Sequence, residues 1–122
     1  MLCLLFLTGC AFDVLHEKQL SASFAPISGQ GRTWTLNEDL DVSFEGTTYK
    51  THLKKGTRWQ EVGHIAQGDV YVTKDQIVTV EGSNIHEAQV VLSGESVVGC
   101  FLPVEGTFAP ARKPVAVHFA QN

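Results

Sequence analysis

From residue 32 onward, apolar residues fall at every second position in short runs, and glycine or a polar turn cuts each run before it reaches helical length. Leu40, Val42 and Phe44 alternate with Asp41 and Ser43, Val70 and Val72 stand opposite Tyr71, and Val78 and Val80 share a face. A period of two puts alternate side chains on opposite faces of an extended chain, so one face is buried and the other wetted. The pattern predicts strands over 32–36, 40–44, 47–53, 69–73, 76–81, 86–92 and 96–102, with a last strand over 115–119. The stretch 58–65 alternates less cleanly, because the spacing of Trp59, Val62 and Ile65 also fits a short helical turn. Residues 86–92 and 96–102 flank Ser93-Gly94-Glu95, a three-residue hairpin loop with glycine. Pro103 has no N–H for a ladder and ends its strand, and the basic, proline-bearing stretch 110–114 reads as irregular. The fold class expected is all-β, a small antiparallel barrel or sandwich of about 6–8 short strands.

The chain has 122 residues, 43% of them hydrophobic and 18% charged, which fits one folded domain and not a disordered chain. Its formal net charge is −4 with acids and bases interspersed. No basic stripe marks the sequence, so nucleic acid is not an expected partner.

The first seven residues are apolar, with Cys3 among them, and run into Leu7-Thr8-Gly9-Cys10. This tetrad resembles the lipobox of bacterial lipoproteins, in which Leu stands three residues before Cys and small residues lie between. The resemblance implies that the Cys10 thiol is alkylated by a diacylglyceryl group. A signal peptidase then cuts between Gly9 and Cys10, and the new amino group is acylated. It divides the chain into a signal peptide over 1–9, a lipidated Cys and tether over 10–30 with a pairing segment near Phe24, and a β domain over 31–122. Secretory signals open with a positively charged segment. None precedes Cys10, so a basic extension upstream of Met1 is expected. Lipoproteins of this class with Asp directly after the Cys tend to stay on the inner membrane. Ala11 stands there, which implies an outer-membrane anchor facing the periplasm of a Gram-negative bacterium.

With Cys3 removed and Cys10 lipidated, Cys100 is left as the one thiol of the mature chain, and no internal disulfide can form. Cys100 sits in the apolar run Val97-Val98-Gly99-Cys100-Phe101-Leu102, where a Cys behaves as a small hydrophobe and its pKa rises. The five histidines, His16, His52, His64, His86 and His118, show no metal-binding spacing, and His86 and Glu87 point to opposite faces of a strand. No metal, cofactor or catalytic residue is therefore assigned, and enzyme activity is not expected. Trp and Tyr bring large contact area with few rotors to binding surfaces. In a domain this small both Trp34 and Trp59 are expected in the core. Trp59, ringed by Arg58, Gln60 and Glu61, is the better surface candidate of the two, and joins Tyr71, His86 and Glu87 in the candidate binding surface.

The function expected is that of a membrane-anchored envelope lipoprotein whose β domain binds or scaffolds another envelope protein. An alternative is an inhibitor or immunity protein that plugs a periplasmic or secreted hydrolase with a loop at 103–114 or 82–86. A third reading, carriage of a small ligand inside a barrel, needs a cavity that mixed strands do not reveal.

Overall fold

Alternation has become strand almost wherever it is strict. The computed structural model describes residues 17–120, and the expected signal over 1–9 and the tetrad Leu7-Thr8-Gly9-Cys10 lie outside them. The strands are β1 (Leu20–Ser21), β2 (Ala25–Pro26), β3 (Thr33–Thr35), β4 (Leu40–Ser43), β5 (Lys50–Leu53) and β6 (Arg58–Ile65). They continue with β7 (Gly68–Thr73), β8 (Thr79–Glu81), β9 (Ile85–Glu87), β10 (Gln89–Ser93), β11 (Ser96–Leu102) and β12 (Thr107–Ala116). The fold is all-β. Among the described residues the strands number 12, because the expected 86–92 is broken at Ala88 into β9 and β10 and residues 20–26 supply two short ones. The ambiguous stretch 58–65 is a full strand, bent where its register against β7 shifts between Glu61 and Gly63. The β10–β11 loop is Gly94-Glu95, two residues instead of three, since Ser93 pairs with Ser96. Gly94 takes φ 64° there, which glycine adopts without a Cβ clash.

The main sheet runs β1-β12-β11-β10-β7-β6-β2, with β3 also on β6. Its two ends are tied by one short piece of chain. Leu20–Ser21 pairs with β12 at one edge, and four residues later Ala25–Pro26 pairs with β6 at the other. Six lateral spacings of ~4.8 Å would separate those ends by about 29 Å in a flat sheet. Four residues span at most about 14 Å. The sheet must therefore curl into a half-barrel, and residues 20–26 act as a strap across its opening. Phe24 stacks on Phe101 of β11 at 5.3 Å. Beneath it Ile65, Val70, Val91, Phe101 and Phe108 form a small apolar cluster. Gly63 lets the strap lie close, since a Cβ there would sit 2.4 Å from the Phe24 ring and 2.5 Å from the Ala25 carbonyl oxygen.

The expected tether over 10–30 is therefore corrected for its described part, because the chain is docked from Glu17 onward. The Glu17 carboxylate is buried, accepts a 2.8 Å bond from Gln19 Nε2, and lies 3.3 Å from His86 Nε2. That contact is close enough for ion pairing but too poorly angled for a hydrogen bond. The other ring nitrogen, Nδ1, meets Glu105 at 2.8 Å.

The larger core lies on the opposite face of the sheet, where the β4–β5 and β8–β9 hairpins cover it. Leu40, Val42, Phe44, Leu53, Val78 and Val80 from the hairpins meet Trp59, Tyr71, Val90, Val97, Cys100 and Leu102 from the sheet. The hairpins are joined to each other by Thr51 Oγ1 donating to the Thr79 carbonyl at 2.6 Å and Thr47 Oγ1 to that of Glu81 at 2.9 Å.

β12 links the layers. Its partner Val97 faces Val115 while Gly99 faces Pro110, so residues 111–114 form a wide bulge. There the strand turns from β11 toward β4. Ala111 bridges Phe44, the Pro110 carbonyl accepts from Glu45 N at 3.1 Å, and Arg112 Nη2 donates to the Thr47 carbonyl at 2.8 Å. The irregular stretch expected at 110–114 is thus inside a strand, with Pro114 at the bulge where a missing N–H costs no ladder bond. The last strand ends at Ala116, and Phe119, beyond it, pairs with Leu36 through an isolated bridge. The inhibitory loop expected at 103–114 reduces to a turn over 103–106.

Candidate binding cleft

Trp34, Tyr71 and Phe119 line one wall of a cleft at the end of the sheet where β10 turns into β11, with Trp59 packed behind them. Trp34 and Trp59 are direct cross-strand partners on β3 and β6, so both rings project to the same side. Trp59 is wholly buried. Trp34, nearer the rim, is half-buried. Phe119 stacks on Trp34 at 5.3 Å and meets Trp59 edge-on at 5.4 Å. Phe119 is held by backbone on both sides, since Ala120 N donates to the Thr35 carbonyl at 2.8 Å and Asn37 N to that of His118 at 3.0 Å. Trp34 Nε1 donates to the Tyr71 hydroxyl at 3.3 Å. Burial pushes the Tyr71 phenol up, which keeps it neutral.

Charged groups line the rest. Arg32 grips Glu61 with a two-pronged fork, Nε to Oε1 at 3.0 Å and Nη2 to Oε2 at 3.1 Å, and the same Nη2 lies 3.5 Å from Asp69 Oδ2. The hydrogen bond from Arg32 holds the Glu61 carboxyl below its ordinary range, and the same bond raises Arg32. On the far lip His118 Nδ1 sits 2.6 Å from Glu38 Oε2, which raises the imidazole pKa, with Glu95 adding to the effect. The cleft encloses about 590 Å³ between Arg32, Trp34, Asp69, Tyr71, Glu95 and Phe119, among others. It offers a flat aromatic wall beside a donor, Arg32, held by Glu61 and Asp69, and the carboxylates of Asp69 and Glu95. Such an arrangement suits recognition, in which a few placed polar groups orient a ligand against an apolar surface.

Cys100 lies elsewhere, in the core, and burial pushes its thiol up to about 12. Among the described residues no group of three or more His, Cys, Asp or Glu side chains is placed to hold a metal ion.

The residues expected to form a binding surface are not brought together. Trp59 is 0% exposed, which corrects its place in the candidate binding surface. Its ring fills the core while Arg58 turns out to Asp75 and Glu61 to Arg32. Tyr71 is 2% exposed and reaches the cleft through its hydroxyl. His86 is buried between Glu17 and Glu105, and Glu87 is exposed on β9. Cys10 lies outside the described residues. The cleft instead recruits Arg32, Trp34, Asp69, His118 and Phe119. The one signal in the sequence was Arg32 standing two residues before Trp34, on the same face of a strand.

Comparison of this chain with protein-family models, with curated proteins and with solved structures finds no match in any of the three.

Proposed function

We propose that this chain is a membrane-anchored envelope lipoprotein, held by acyl groups on Cys10 at the periplasmic face of a Gram-negative outer membrane. Its β domain binds another envelope component through the cleft between Arg32, Trp34 and Asp69. The observation that carries the reading is Leu7-Thr8-Gly9-Cys10 ending an apolar run seven residues before Glu17, a buried residue of the β domain. Three acyl chains, each CH₂ contributing about 0.8 kcal/mol on burial, hold a protein of this size at a bilayer. An aromatic wall flanked by fixed charges supports binding over catalysis.

The test is incorporation of radiolabelled palmitate. The native chain takes up label and fractionates with membranes, whereas Cys10→Ala takes up none and is released on lysis. Label in Cys10→Ala, or a native chain found in the soluble fraction, refutes the anchor. For the cleft, Trp34→Ala and Asp69→Ala are expected to lose a crosslinked partner that the native chain captures. Retention of that partner by both variants places the binding surface elsewhere.

A further inference from the structure

Bases scattered through the sequence are gathered by the fold beside Glu17, where the described residues begin. Lys18 follows Glu17, and its backbone N–H donates to the Glu45 carbonyl at 2.8 Å. Lys50 starts β5 opposite Ser43, next to Phe44, which bridges Ala111. Arg112 and Lys113 follow Ala111 in the β12 bulge and are exposed, as are Lys18 and Lys50. Four cations therefore share one edge of the molecule in a chain whose net charge is −4. Among them the carboxylate of Glu45 lies 3.6 Å from Lys18 Nζ, and Glu105 is held by His86. Glu17 is turned inward on His86, and Glu81 accepts from Thr79.

We propose that Lys18, Lys50, Arg112 and Lys113 form a docking face for an anionic phospholipid surface. The proposal rests on the anchoring reading, which supplies its geometry. Cys10 stands seven residues before Glu17, a length of chain that reaches at most about 25 Å. An acylated Cys10 thus keeps this edge near the headgroups while the acidic remainder of the domain is repelled by them. Basic groups beside a lipid anchor act as a second membrane signal, and each one at an anionic surface favours contact by about fivefold. Both effects turn the same edge inward and fix the orientation of the domain.

The experiment uses the full lipidated chain in vesicles of phosphatidylcholine alone or with phosphatidylglycerol. Lysines are acylated by a water-soluble reagent and read by mass spectrometry. Lys54, Lys55 and Lys74 are exposed at the far end of β5 and after β7 and serve as internal controls. On anionic vesicles Lys18, Lys50 and Lys113 are expected to label several-fold less than on neutral ones. The three controls stay unchanged, and high salt abolishes the contrast. The pair Lys50→Glu and Lys113→Glu removes the contrast at Lys18. Equal labelling of all six lysines on both vesicles, with the acyl mass on Cys10 verified, overturns the docking face and leaves the anchor standing. An intact mass without acyl groups overturns both. Equal protection by soluble polyuridylate, at matched phosphate concentration, overturns the membrane as the partner.

Discussion

Gly63→Ala tests whether the strap over residues 20–26 is docked as described. The added methyl would stand 2.4 Å from the Phe24 ring and 2.5 Å from the Ala25 carbonyl oxygen. Ordinary contact needs about 1 Å more, and one of the two obstacles is backbone, which cannot swing aside as a side chain can. Forcing the methyl in place costs about 1–3 kcal/mol, as other overpacked sites do. The alternative is for β2 to lift off. That forfeits the Phe24–Phe101 stack, about 0.5–1.5 kcal/mol beyond its area, and the burial of a ring already 37% exposed. Both routes converge on a loss of about 2 kcal/mol, or a fall in Tm of roughly 8–16 °C for a domain of this size. Hydrogen exchange identifies the route. If β2 lifts, the amide of Ile27, which donates to the Val62 carbonyl at 3.2 Å, loses protection, while Val90 and Cys100 in the core keep theirs. A Tm within about 2 °C of the native value refutes the close approach. Uniform loss of protection refutes the strap as a separately docked element.

Trp59→Phe should cost no more than about 1 kcal/mol, against about 3–5 kcal/mol for Trp59→Ala, both read by urea denaturation. The Trp59 indole N–H is buried with no acceptor among the described residues, so removing it relieves a penalty that offsets the small cavity. If Trp59→Phe loses half as much as the alanine variant, the N–H has a partner. His118 should titrate above the ordinary imidazole value by NMR, and Glu38→Gln should bring it down. Because the folded pKa is the raised one, its stabilising effect is complete below about pH 6.5 and disappears as pH rises through the folded value. An unshifted titration in Glu38→Gln would remove Glu38 as the cause. Cys100, with its thiol pushed up to about 12, should react with a disulfide reagent near pH 8 only after unfolding. Fast reaction of the native chain would show an open route to β11.

Strand positions were readable because alternation survives wherever one face meets the core, as at Leu40, Val42 and Phe44. Three features were hidden, wholly or in part, for separate physical reasons. Trp59 sits among polar neighbours because β6 is bent and turns Arg58 and Glu61 to their own partners, so local polarity misreported its burial. The bulge at 111–114 was masked by Pro110 and Pro114, which argue against a central strand but are harmless where the ladder is already interrupted. The strap was legible only as a pairing segment near Phe24, because its two strands have two residues each and no periodicity of their own. Their pairing is set by the distant edges of β12 and β6. The cleft was half legible: Arg32 and Trp34 share a strand face, but Asp69, His118 and Phe119 arrive from elements far away in sequence.

The strap also determines how the molecule bears load. A pull applied at Glu17 enters the domain at the Glu17–His86–Glu105 node and then runs along β1. That strand lies antiparallel on β12, so tension acts along its axis and stresses its few ladder bonds together, in shear, instead of opening them one by one. Beyond β1 the same tension reaches Phe24 and β2, which hold the opposite edge of the sheet. A tug strong enough to free β1 would therefore act next on the seam that keeps the half-barrel curled. The domain's mechanical fuse is its N-terminal segment, while the cleft rests on β3, β7 and the chain after β12, which that pull would load last.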